Sequence, residues 1–150
     1  MVEKKLILKK LTELDKYLKQ LRKHESLTRK ELQDNLDVLW MVERGLQICI
    51  QIILDIGTHI LSEEGIAVER YSDIFKELVK LDIIPEYFAE DIKGMAGFRN
   101  ILVYEYADVN VSIVADTLNN SLDDFSSFAE YINEYLKKES NRFDGREEEE

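Results

Sequence analysis

Arg99 and Asn100 open a short segment that runs through Ile101-Leu102-Val103 to two tyrosines one residue apart, Tyr104 and Tyr106. Nothing else in the chain reads as chemistry. The planar fork of an arginine matches the oxygens of a phosphoryl group and stabilises charge that develops on them. A tyrosine phenol titrates near about 10, which makes it a poor general base at neutral pH, although its hydroxyl still hydrogen-bonds a phosphate. A plainer account is also open, in which Arg99 pairs with an acidic neighbour and the aliphatic residues and tyrosines are core. On a regular helix Arg99 and Tyr106 lie nearly in line, whereas Tyr104 points about 140° away. One straight helix therefore cannot aim Arg99 and residue 104 at the same phosphate. Either the helix ends near residue 104, or a two-fold partner supplies the second group. Gly94 and Gly97, just before the motif, suit close contact between helices.

A second pattern is Glu43, Gln47, Gln51, Asp55 and His59, spaced by four along an otherwise apolar stretch. Each step drifts about 40° around a helix, so neighbours touch while the ends of the series face different ways. The series reads as a polar seam between packed helices, or as a cleft in which Gln51 and Asp55 stand beside Arg99. The two histidines, His24 and His59, lack the spacing of a metal site, and no transition metal or other cofactor is expected. The acidic residues sit mostly at exposed helical positions, where a solvated face is the ordinary reading. No phosphate-binding glycine loop, dinucleotide turn or nucleophile elbow is present.

The elements that must position these groups are helices. With one Pro and six Gly among 150 residues, the chain has little punctuation for a many-stranded fold. Ile7, Leu11, Leu14, Leu18 and Leu21 stripe a first helix over about residues 2–24. Thr28 and Glu31 form a capping box opening a second helical region to about Leu61, with a bend near Asp34-Asn35 and an end at Glu63-Glu64-Gly65. Its run from Leu46 to Ile60 is apolar around most of the cylinder, which predicts a central helix, and reads as too short and too interrupted to span a membrane. Ser72 is a candidate N-cap for a third, short helix, and Pro85 suits the first position of a fourth that leads through Tyr87, Phe88, Ile92, Met95 and Phe98 into the Arg99 motif. Asn110 caps a last helix carrying Val111, Val114, Leu118, Leu122, Phe125, Ala129, Ile132 and Leu136. The expectation is an all-α antiparallel bundle of about five helices over residues 1–139, with a disordered acidic tail over 140–150.

A formal net charge of −11 opposes non-specific binding of long nucleic acid over the whole surface, so any such work belongs to a local site. The single cysteine, Cys49, lies in an apolar run and suits packing in a reducing compartment. With no signal sequence visible, these features point to the cytoplasm.

The motif resembles that of the HepT-like toxin family of the HEPN superfamily, in which an arginine, commonly followed by asparagine, precedes a histidine by four to six residues and a tyrosine stands two further on. Arg99, Asn100 and Tyr106 match, and the histidine position is Tyr104. The resemblance implies a homodimer whose two motifs face one cleft, cleaving RNA without metal through attack of a 2′-hydroxyl on the adjacent phosphate. It gives Arg99, Asn100 and residue 104 the catalytic roles, Gln51 and Asp55 a place lining the cleft, and Tyr106 the role of acceptor for adenylyl groups added by a small nucleotidyltransferase antitoxin. A histidine moves protons at neutral pH because it titrates near about 6.5, and Tyr104 does not replace it in that task. A naturally attenuated member, a shifted mechanism, or a His→Tyr change acquired because the active toxin harms its host would each account for Tyr104. The alternative function is a non-catalytic helical module that binds a nucleotidyltransferase or nucleotides.

Overall fold

Helix α3 (Leu36–Glu63) runs through the middle of the protein, and the remaining helices pack around it. The computed structural model describes residues 4–104 and 110–149, with side chains to Asn141. The other helices are α1 (Lys4–Arg22), α2 (Arg29–Gln33), α4 (Ile74–Lys80), α5 (Glu86–Ile92), α6 (Met95–Tyr104), α7 (Val111–Asn120) and α8 (Leu122–Glu149). A 3-10 turn at Tyr71–Asp73 precedes α4, and no strand occurs among the described residues.

The buried stripe of α1, from Ile7 to Leu21, is the one its periodicity predicts, and it lies on α3. Two contacts set the direction of that pair. Leu21, near the end of α1, meets Gly45 early in α3, while Lys10 approaches Asp55 one turn after another further along, so the helices are antiparallel. Helix α8 returns along α1 in the same sense. Arg22 donates to Asp123 at 3.0 Å near one end, and Lys4 donates to Ser140 at 2.7 Å near the other.

Each of the five expected helical segments is present, and three are divided. Between α2 and α3 the break at Asp34-Asn35 is complete, because Asn35 adopts an extended conformation and its side chain accepts from the Val38 amide as a new N-cap. The Thr28–Glu31 capping box is formed in both directions. A second division falls at Lys93-Gly94, since α5 packs on α4 whereas α6 packs on α3. The third is at Ser121, because α7 lies against α2 while α8 lies against α1. Asn110 is the N-cap of α7 as expected, its side chain accepting from the Ser112 amide at 2.8 Å.

Three local expectations are corrected. Ser72 lies inside the 3-10 turn, and Asp73 occupies the N-cap position of α4 without a side-chain bond. Pro85 is the N-cap of α5, one place before the first helical position. Gly94 and Gly97 do not make close contacts within the chain, since a Cβ at either would meet nothing within 4 Å. The glycines that do permit close approach are Gly45, where a Cβ would lie 2.7 Å from Leu21 Cδ2, and Gly57, where it would overlap Ile74 Cγ2. Beyond residue 139, where the sequence reading ends the domain, the backbone of α8 continues as helix to Glu149. Extending a formed helix adds one hydrogen bond per residue, and neither proline nor any cap interrupts the stretch.

Helix α3 is long and apolar enough to cross a membrane by length and composition. Its apolar side chains instead form the core of the bundle, with Leu46, Ile50, Ile53, Leu54, Ile56 and Ile60 fully buried. The helix ends in a Schellman arrangement: Gly65, at φ 76°, donates from its amide to Ser62 O, and the Ile66 amide donates to Leu61 O. This turns the chain back toward α3 and begins the path to Tyr71.

Candidate active site

Helix α6 lies against α3 and brings Arg99 over the middle of the polar series on that helix. Arg99 Nε donates to Gln51 Oε1 at 2.7 Å, and Gln51 Nε2 in turn donates to Asp55 Oδ1 at 2.8 Å. Arg99 Nη1 donates to Asn100 Oδ1 at 3.1 Å. The guanidinium stands 5.2 Å from the centre of the Tyr71 ring and 6.0 Å from that of Tyr104. Lys10 Nζ, from α1, lies 3.9 Å from Asp55 Oδ2. Residues of four elements, α1, α3, the 3-10 turn and α6, thus make up the cluster around one arginine.

Tyr104 is the last described residue of α6, and its ring centre stands 6.0 Å from the Arg99 guanidinium within the one chain. Tyr104 is 68% exposed, so its ring covers the arginine from the solvent side. Gln51 and Asp55 do stand beside Arg99, and of the two readings of the polar series this is the arrangement observed at those positions. His59 does not join them. Its Nε2 approaches Glu63 Oε1 at 3.7 Å, one turn toward the end of α3. Tyr106 lies outside the described residues.

Two members of the cluster were not among the residues singled out from sequence, Tyr71 and Lys10. Tyr71 is a half-buried aromatic in the polar stretch Glu69-Arg70-Tyr71-Ser72-Asp73, where helical periodicity has nothing to say. An aromatic alone among polar residues is the signal that marks it. Lys10 belongs to the polar edge of α1 and carries no signal of its own.

Chemically the cluster presents a cation whose Nε edge is held by an amide and whose faces are bounded by phenol rings. Among the described residues Nη2 makes no hydrogen bond, which leaves an N–H pair for an anionic ligand. No group of His, Cys, Asp and Glu suited to hold a metal occurs among the described residues. Cys49 is completely buried, and burial pushes its thiol up to about 12, so it supplies no nucleophile at neutral pH. Burial also raises the carboxyl of Glu43, the first of the polar series, above the usual range. Arg99 lines neither of two described grooves, one of about 660 Å³ walled by Tyr87, Tyr131 and Tyr135, the other of about 220 Å³ between α6 and α7.

The all-helical bundle holds the Arg99-Asn100 pair against the polar residues of its central helix. The family described as ribonuclease HepT-like matches residues 9–132, and this chain belongs to it. A tRNA nuclease HepT from Aphanizomenon flos-aquae is 30% identical over 137 residues, covering 90% of this chain and 92% of that protein. An mRNA nuclease HepT from Shewanella oneidensis is 32% identical over 89 residues, 59% of this chain and 67% of that one. The fold is shared with a solved structure of a tri-AMPylated Shewanella oneidensis HEPN toxin in complex with its MNT antitoxin. That likeness has a TM-score of 0.75 at 24% identity, over 85% of this chain and 96% of that one.

Proposed function

We propose that this protein is the toxin of a toxin–antitoxin pair, an endoribonuclease of the HepT type that acts in the cytoplasm as a homodimer and is silenced by a nucleotidyltransferase antitoxin. The observation that carries this reading is Arg99, anchored through Nε to Gln51 with Nη2 unbonded among the described residues, in a chain that belongs to a ribonuclease family. Arg99 binds the phosphate beside the scissile bond and stabilises the charge that grows on its oxygens as the 2′-hydroxyl attacks. Asn100 holds Nη1, and Gln51 with Asp55 lines the cleft. Tyr104 stands where the family has a proton-transferring histidine, and its phenol can hydrogen-bond a phosphate but is a poor general base, so cleavage is slow. No metal or other cofactor takes part.

The antitoxin acts at Tyr106 by adding adenylyl groups, whose bulk and negative charge occupy the phosphate site beside Arg99. The tri-AMPylated state of the Shewanella toxin supports this reading. The open sides of Gly94 and Gly97, next to the motif, leave room for the second protomer. The substitution at Tyr104 also favours a second reading, a non-catalytic module that retains only the partner-binding role. Incubating cellular RNA with the purified protein, with Tyr104→His and with Tyr104→His/Arg99→Ala decides between them. Cleavage that appears with Tyr104→His and disappears with Arg99→Ala supports the nuclease. RNA left intact by all three supports the binding module. Light scattering that returned a monomer at micromolar concentration would remove the shared cleft, and peptide fragmentation after co-expression with the antitoxin locates the modified tyrosine.

A further inference from the structure

We propose that Tyr71 is a positioning residue for Arg99: its ring sets the plane of the guanidinium while Gln51 sets the direction of its edge. Four side chains touch the guanidinium, and they are not equivalent. Asn100 and Tyr104 are exposed and belong to the same helix as Arg99, so they move with it. Gln51 and Tyr71 are half-buried and belong to other elements, the middle of α3 and the 3-10 turn after it. Only these two fix the arginine against the rest of the fold.

Their holds are perpendicular in kind. The hydrogen bond from Nε to Gln51 lies in the guanidinium plane and leaves the group free to rock about that bond. The Tyr71 ring, 5.2 Å away, attracts a cation through its face and opposes the rocking. Tyr71 is itself steadied. Its ring packs against the core, its turn is closed by the Asp73 amide donating to Arg70 O at 3.1 Å, and its hydroxyl lies 3.5 Å from Gln51 Nε2. The two groups that orient Arg99 therefore also contact each other. A planar cation held on one edge and one face presents its Nη2 end in a single direction, as recognition of a phosphate requires.

The inference rests on the proposed reading of Arg99 as the phosphate-binding group. It is tested by binding of a short fluorescein-labelled single-stranded RNA, read by anisotropy, in a double-mutant cycle between position 71 and Arg99 on the full chain. Tyr71→Phe keeps the ring face and should bind within about twofold of the parent. Tyr71→Met fills the space without a ring and should weaken binding by about tenfold when Arg99 is present, and by less than about twofold when Arg99→Ala is present. Equal losses in the two backgrounds, or no loss with Tyr71→Met, overturn the positioning role. If Tyr71→Met does not fold, Tyr71→Leu takes its place. If Arg99→Ala alone leaves RNA binding and cleavage unchanged, the phosphate site itself is refuted, an outcome separate from the failure of Tyr71.

Discussion

Arg99 on α6 and Gln51 on α3 are joined by a hydrogen bond of 2.7 Å between side chains 48 positions apart in sequence. The bond takes the Nε donor, so under the proposed function a phosphate would engage the arginine through its terminal nitrogens. Replacing the amide by a hydrocarbon frees Nε and leaves a half-buried cation without its anchor. In a Tyr104→His background, Gln51→Leu should lower kcat/KM for RNA by about 10- to 100-fold, the scale of a lost hydrogen bond to a charged group. An unchanged kcat/KM would show that Arg99 orients itself.

Restoring the proton carrier is the complementary change. Tyr104→His should raise RNA cleavage by about 10²-fold or more, the usual contribution of general acid–base catalysis, and Arg99→Ala should remove the gain. The rate of the activated variant should also acquire a dependence on pH near the titration of an imidazole that the parent lacks. Gel analysis of cellular RNA across pH 5 to 9 reads both effects.

Glycine substitutions separate packing from the open face. Gly57→Ala pushes a methyl group into Ile74, which is fully buried, and should destabilise the fold by about 1–3 kcal/mol in urea titration. Gly97→Ala lies in α6 with nothing nearby and should stabilise the isolated chain by about 0.5–1 kcal/mol through helix propensity. If Gly97→Ala loosens self-association while stabilising the fold, the partner protomer sits on that face.

Alkaline pH tests the burial of Cys49. Its folded value is raised from the usual 9.0 to about 12, so the folded state holds the proton more tightly than the unfolded chain. The stability this represents is fully present below about pH 9 and is lost as pH rises toward 12, by about 1.4 kcal/mol for each pH unit in that window. Denaturation midpoints at pH 8 and pH 10.5 should differ by more in the parent than in Cys49→Val. Equal slopes would mean that the thiol is reached by water.

Much of this architecture is legible from residue spacing, and the limits have physical causes. The stripe of α1, the capping box at Thr28, the break at Asn35 and the cap at Asn110 follow from interactions within a few residues, which sequence displays directly. The divisions at Lys93-Gly94 and Ser121 arise because successive helices pack on different partners, and a single periodic stripe does not reveal that. The same distinction holds at the site. Arg99, Asn100 and Tyr104 share one short motif, and Gln51 with Asp55 stands out as polar within an apolar helix. Tyr71 meets Arg99 across 28 positions of sequence, after the chain has left α3 through the turn at Gly65, and no periodic stripe displays such a contact.

The link from Asp55 to Lys10 ties the cluster to α1, and α1 is held in turn by α8 through Arg22 with Asp123 and Lys4 with Ser140. Every described member of the cluster precedes α8 in the chain, yet the scaffold that brings Lys10 and Asp55 together is completed only by that last helix. A fragment truncated before residue 122 would therefore hold these side chains without the helix that braces α1. Assembly of the Arg99 cluster is thereby coupled to the helix of the bundle that is synthesised last.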